Sequence, residues 1–379
     1  MLSAMQGKID FLLYLDEIED PRDELKVLYP LNEILLVGLT TIIVGGESWE
    51  DMELFGKTKL KFLRSYLPFE NGIPKAITYE RVFSVVKPKA FEECLRAWSS
   101  SMGKRKVDKA ISIDVKTARG SYDSKCGQAA IHLVSAWGHN SGLALAQEQV
   151  SEKSNEITAI PNIIESLDIK GKTVIMDAMG CQKSIAEQII KAHGDYVLAL
   201  KGNHGNTYTE VIKFFNRHEA LGFKGRGYKF IQDQSFDKGH GRIETRKITL
   251  LNTVNWLTDQ DGWSGIRSVV MIDSERIIGD KITKEKRYYI SSLETTAKRM
   301  LEIIRGHWGI ENKLHWVLDV VMGEDNSRVR IGYAQRNLAT MRKMALNLIK
   351  TNKKKKISIK GSRKVAGWSN STLKRFLMF

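Results

Sequence analysis

The segment 305-RGHWGIENKLHWVLDVVMGED-325 carries a polar line and an apolar stripe at once. Helical spacing puts His307, Glu311, His315 and Asp319 four residues apart on one side. Ile310, Leu314, Val317 and Val321 fall beside them as an apolar stripe. The pattern predicts a helix in which Glu311 stands at the edge of a buried face, where a carboxylate is placed to bind a metal ion. An ordinary amphipathic helix shows the same spacing, so the segment alone does not decide between the two. Glu324 and Asp325, just past Gly323, are reserve carboxylates. A zinc site from His307, Glu311 and His315 lacks the H-E-x-x-H spacing. Each histidine reads better as a hydrogen-bond donor to carboxylate or phosphate. Trp308 and Trp316 read as core.

Two more carboxylates stand in apolar strands, Asp114 in ISIDVKT and Asp177 in VIMDAMG. Aspartate is a poor strand former, so each caps a turn or has a function. Carboxylates from two strands and one helix could converge at one end of a sheet. Their hard oxygens suit Mg²⁺, and a pair of such ions serves phosphodiester chemistry. Lys116 and Arg119, just beyond Asp114, are placed for phosphate or are exposed strand-end residues. Lys201 and Asn203 in KGNH, and His240, Arg242 and Arg246 in KGHGRIETR, could contact a nucleic-acid backbone or belong to a solvated turn and hairpin.

Outward from these residues the chain divides by pattern. Residues 1–105 read as helices and predict a small α-helical N-terminal domain. From 106 to 202, three strands, a helix, a strand, a helix and a strand predict a mixed α/β sheet that opens with an antiparallel meander. Residues 203–295 read as a β-rich insertion. The Glu311 helix and a basic helix follow within 296–350, and 351–379 reads as a basic tail.

The chain has 379 residues and a net charge of +15. Fifteen Lys and Arg fall in 326–379, which has no Asp or Glu, and the remainder is neutral. Such asymmetry fits a phosphate-rich partner, with Lys353, Lys354, Lys355 and Lys356 as its densest run. A solubility tail or an anionic membrane surface fits less well. No run of apolar residues is long enough for a membrane span. No secretory pattern appears, and Cys94, Cys126 and Cys181 have no metal or redox spacing, so a reducing cytoplasm is expected.

Several strings resemble transposases of bacterial insertion sequences, of the H-repeat-associated type within the DDE superfamily. They are DPR, YPLNEILL, NGIPKAITYERVF, IDVKTARGS, EKSNEITAIP, VIMDAMGCQ, DYVLALKGNH, KGHGRIETR and HWGIENKLHWVLDVVMGED. The resemblance runs nearly end to end. It implies a ribonuclease H-like core with a β-rich insertion between the second Asp and the Glu, and a catalytic triad of Asp114, Asp177 and Glu311 holding Mg²⁺, or Mn²⁺ in its place. Metal-dependent cleavage at element ends and strand transfer into target DNA would follow. Double-stranded DNA would be the partner, with Arg305, His307 and His315 among its contacts. Pairing two ends implies a homodimer, and the location would be the bacterial cytoplasm, on the nucleoid. The family's first motif ordinarily has Gly where Val115 stands. That departure keeps open a decayed copy that only binds DNA. A stand-alone metal-dependent nuclease is a further alternative.

Overall fold

The computed structural model describes residues 10–103, 107–122, 130–150, 156–224, 227–239, 241–354 and 356–378. Nine strands form one mixed sheet in the order β3-β2-β1-β4-β5-β9-β8-β7-β6. The first half comprises β1 (Ala110–Ala118), β2 (Ile131–Gly138), β3 (Ala144–Val150), β4 (Thr173–Met176) and β5 (Asp195–Leu200). Strands β1 to β3 form the antiparallel meander, while β4 runs parallel to β1 and β5 parallel to β4. Helices α6 (Glu156–Ser166) and α7 (Lys183–Lys191) follow β3 and β4. This matches the strand and helix order expected for the first half.

The second half comprises β6 (Phe230–Gly239), β7 (Arg242–Leu251), β8 (Ser268–Ile278) and β9 (Lys281–Ser291), all antiparallel. Strand β9 pairs with β5, so the insertion continues the same sheet instead of forming a separate body. One helix in this stretch escaped the pattern reading, α8 (Gly205–Ala220). Its aromatic and polar residues hide a face that buries Val211 and Phe215.

The two sheet faces carry different cores. Ile111 and Ile113 of β1 face a core shared with Ile160, Ile163, Ile185 and Ile189 of α6 and α7. The opposite face, at Ile175, Val197, Ile248, Val270 and Ile272, is covered by Met300, Leu301, Ile303 and Ile304 of α9 (Ala297–Ile310). Side chains alternate along a strand, so Asp114 and Asp177 lie on the α9 side.

The third core joins the two ends of the chain. The early helices do form: α1 (Asp10–Asp16), α2 (Leu31–Val44), α3 (Trp49–Leu63), α4 (Ala76–Val85) and α5 (Pro88–Gly103). They have no core of their own. Leu35, Phe83 and Trp98 are buried together with Met341, Leu346 and Ile349 of α10 (Ala334–Asn352), and with Leu314 and Leu318. The basic tail is also structured, as α11 (Ile359–Trp368) and α12 (Asn370–Leu377), whose Ala366, Leu373 and Phe376 join the same core. Among the described residues no single helix is long and apolar enough to cross a membrane. Cys94 and Cys181 are free and buried; Cys126 lies outside the described residues.

Candidate active site and its surroundings

The β1–β4 pairing builds the site. Ala110 to Ile113 pair in parallel register with Thr173 to Met176. Asp114 and Asp177 each come one residue past the last β1–β4 pair, side by side and on one face, Asp177 just beyond β4 and Asp114 within β1, which runs on against β2. Both border a small hollow with Ile113, Val115 and Met179. Asp177 also borders a larger cavity of about 340 Å³ on the other side, with Lys201, Arg287, His307, Trp308 and Glu311. Thus Asp177 joins Asp114 to Glu311. The Asp177 Oδ1 accepts from Met179 N at 3.0 Å, which fixes the turn after β4. Asn203 Nδ2 donates to Ala178 O at 3.2 Å and ties the loop after β5 to that turn. Among the described residues no three His, Cys, Asp or Glu side chains stand close enough to hold one metal ion. Carboxylate oxygens are the ligand type that suits Mg²⁺.

Helix α9 comes close to the strands because two glycines let it. A methyl at Gly309 would meet the Trp137 ring at 2.4 Å, and one at Gly306 would meet His139 at 2.2 Å. After Ile310 the expected single helix changes pitch. Residues Glu311–His315 and Val317–Val321 are π-helical turns. A π turn holds more residues than an α turn, so the polar line no longer runs straight. Glu311 is exposed beside the cavity, whereas His315 is buried with Nδ1 3.6 Å from Asp114 Oδ2. Burial, then the nearby Lys343 and Lys116, hold the His315 pKa down to about 3, so its ring is neutral. Burial likewise lowers His307 to about 4.

Lys116 differs from its expected role as a phosphate contact. Its ammonium is buried, 2.5 Å from Asp319 Oδ1 and 2.6 Å from Glu324 Oε2. An ammonium engaged this way is not available to DNA. Its pKa is raised: burial alone would lower it, but Glu324 and Asp319 outweigh that. Glu324 is fully buried, so the reserve carboxylate is a partner of Lys116 and not open to a metal. Burial would raise its pKa, yet Lys343, Lys116 and Arg342 bring it down to about 2.

The other expected DNA contacts are placed unevenly. Lys201, Arg242 and Arg305 are exposed. Arg246 is partly buried and ion-pairs with Glu244 at 2.6 Å and Asp237 at 2.8 Å. Arg305 also reaches Asp237, at 2.6 Å. Lys353 donates to Ile357 O at 3.1 Å, while Lys354 and Lys356 are exposed. His240, Lys355 and the Arg119 side chain lie outside the described residues. The tryptophans depart from the core reading: Trp316 is 55% exposed, and Trp308 is half-buried beneath the Arg287 guanidinium, 4.8 Å from its ring centre. Arg276 and Arg287 escaped the sequence reading because their strands, SERIIGD and KEKRYY, look like an ordinary solvated hairpin.

The comparisons identify the class of protein. The family described as Transposase DDE domain matches residues 105–348, and the family DDE_Tnp_1-associated matches 12–99. The chain therefore belongs to the DDE transposase family. It is similar to the H repeat-associated putative transposase YhhI of Escherichia coli K12, 41% identical over 341 residues and 89% of each chain. It is also similar to the putative transposase YncI of E. coli O157:H7, 38% identical over 365 residues, 95% of this chain and 92% of that one. Among solved structures, the piggyBac transposase synaptic complex with hairpin DNA superposes with a TM-score of 0.39 at 11% identity, over 96% of this chain and 74% of that one. That likeness is too weak to bear on the fold.

Proposed function

We propose that this chain is the transposase of an insertion sequence, with Asp114, Asp177 and Glu311 as its catalytic carboxylates acting on DNA phosphodiesters. The observation that carries the reading is the parallel β1–β4 pairing, by which Asp114 neighbours Asp177, and Asp177 borders a cavity together with Glu311. A 3-2-1-4-5 order, antiparallel then parallel, supports a ribonuclease H-like core to which the insertion adds four strands. Between them the three carboxylates would supply ligands to two Mg²⁺, or Mn²⁺ in their place, a pair that would activate the attacking oxygen and stabilise the leaving one. The chain's own contribution is placement. The turn after β4 holds Asp177, and the neutral His315 stands beside Asp114 without adding charge. Exposed Lys201, Arg242 and Arg305 at the cavity and its extension are the proposed DNA contacts, and pairing two DNA ends calls for a homodimer.

Val115 does not favour the decayed-copy reading. It pairs with Val134 in regular strand and packs partly against the α6–α7 core, on the face opposite Asp114. The test uses purified protein and DNA carrying the sequences that flank the gene. Asp177→Asn and Glu311→Gln are each expected to lower Mg²⁺- or Mn²⁺-dependent cleavage at least a hundredfold while leaving the circular-dichroism spectrum and melting unchanged. Unchanged cleavage by either variant removes that residue from the site. Wild-type protein that binds these ends but never cuts them supports the binding-only alternative; cutting without joined products supports a nuclease.

A further inference from the structure

The sheet face beneath α9 changes character partway along. Toward one end of β7 and β8 it is apolar, with Ile248, Leu250, Val270 and Ile272 against the helix. Further out, past the level of Arg305 and Trp308, the same face is lined by arginines. Arg242, Glu244 and Arg246 alternate on β7, Arg276 pairs opposite Glu244, and Arg287 pairs opposite Ile272. Apolar side chains would cover a helix-packed face at least cost, so the switch to guanidinium groups needs a reason.

The hollows here share lining residues with the carboxylate cavity. One of about 190 Å³ between α9 and β7–β9 shares Arg287, Glu285 and Trp308 with that cavity. A second of about 260 Å³ shares Arg246, Arg305 and Trp308 with the first and extends to Lys238 and Arg242. Trp308 borders all three. The linings hold Arg242, Arg246, Arg276, Arg287, Arg305 and Lys238 against three acids, Asp237, Glu244 and Glu285. Glu244 is 4% exposed and organises the row: its carboxylate lies 2.6 Å from Arg246 and 3.5 Å from both Arg276 and Arg242. One buried carboxylate cannot use all the donors of three guanidiniums; Arg246 and Arg305 also meet Asp237, and Arg287 meets Glu285 at 2.8 Å.

We infer that this arginine-lined groove seats the sugar–phosphate backbone of a single DNA strand and leads it to the cavity of Asp177 and Glu311. Planar guanidiniums bind phosphate in bidentate fashion. Hollows of about 190 and 260 Å³ between a helix and a sheet have room for the groups of one strand and not for a duplex, so a paired end must be open where it enters. This inference rests on the DNA-processing reading for the identity of its ligand, and its test is separable from that reading because it needs neither metal nor cleavage.

The probe is a duplex with a single-stranded tail, compared with the blunt duplex, in EDTA at several salt concentrations. The Arg276→Ala/Arg287→Ala double variant should bind the tailed probe at least tenfold more weakly and lose much less on the blunt one. Its log–log salt slope should become shallower by roughly 0.7 for each phosphate contact removed. Lys170→Ala/Lys191→Ala, both exposed, away from the groove and outside the basic C-terminal stretch, is the charge-matched control. Thermal melting of each variant shows that the fold is intact, and Arg276→Lys/Arg287→Lys keeps the charge should the alanine pair fail to fold. Unchanged affinity and slope overturn the inference, as does a loss no larger than the control's or equal on both probes. Loss of binding here with unchanged cleavage in Asp177→Asn would leave the groove standing while the catalytic assignment falls.

Discussion

Asp114 and Lys116 are two residues apart on one strand, share a face, and have opposite fates. Asp114 ends at the rim of a hollow, whereas Lys116 reaches into a buried cluster with Asp319 and Glu324. Removing one partner of a buried ion pair strands the other charge, at about 3–5 kcal/mol. Lys116→Met should lose stability of that order in urea unfolding, and Lys116→Met/Glu324→Leu should recover most of it. Glu324 also sets an acid limit. Its folded pKa, about 2, lies below the ordinary 4.5, so its contribution is complete above pH 4.5 and is lost as pH falls through 2. The wild type should lose on the order of 3 kcal/mol across that window. Lys116→Met should show a smaller acid loss, because its Glu324 carboxyl is held down less; an identical pH profile would contradict the cluster's role. The two strand aspartates were legible in the sequence because a charged residue at the end of an apolar run stands out. The role of Lys116 was not, since spacing cannot tell a buried ammonium from an exposed one.

Helix α9 and the π turns after it show where pattern reading stops. The apolar stripe at Ile310, Leu314 and Val317 is buried as its spacing predicts. The polar line is not preserved, because i, i+4 spacing assumes 3.6 residues per turn. The glycines of RGHWGIEN also have a structural reason, which is close approach to β2. Gly309→Ala would gain up to about 1 kcal/mol of helix propensity. Its methyl would meet the buried Trp137 ring, and overpacking of that kind costs about 1–3 kcal/mol. We expect net destabilisation in thermal unfolding; a variant as stable as wild type would show that α9 sits less tightly than described. Val115→Gly tests β1 in the same way. Glycine weakens a strand interior by about 0.5–1 kcal/mol, and the lost apolar contact adds to that. Restoring the family's usual residue should therefore lower the melting temperature and leave cleavage no faster.

At the scale of the molecule, the N-terminal helices and the last two helices share one core through α10. A fragment of residues 1–105 would expose the faces that bury Leu35, Phe83 and Trp98. We expect it to show weak circular dichroism and poorly dispersed amide resonances, and a well-folded fragment would refute the shared core. The basic excess of the C-terminal stretch is also partly spent inside. Arg342, Lys343 and Arg363 are buried, and Arg336 pairs with Glu92 at 2.7 Å. Lys354, Lys356, Lys360, Lys364, Lys374 and Arg375 are left at the surface.

The sequence by itself determined the order of strands and helices in the first half, the pair of strand aspartates, the glutamate that follows the insertion, and the DDE family. Each of these is written in local periodicity or in the residues themselves. Tertiary structure decided which carboxylates face a cavity and which are locked to Lys116, how the insertion joins the main sheet, and which arginines line a groove. Those depend on register, helix pitch and burial among residues up to 208 positions apart, and no local spacing encodes them.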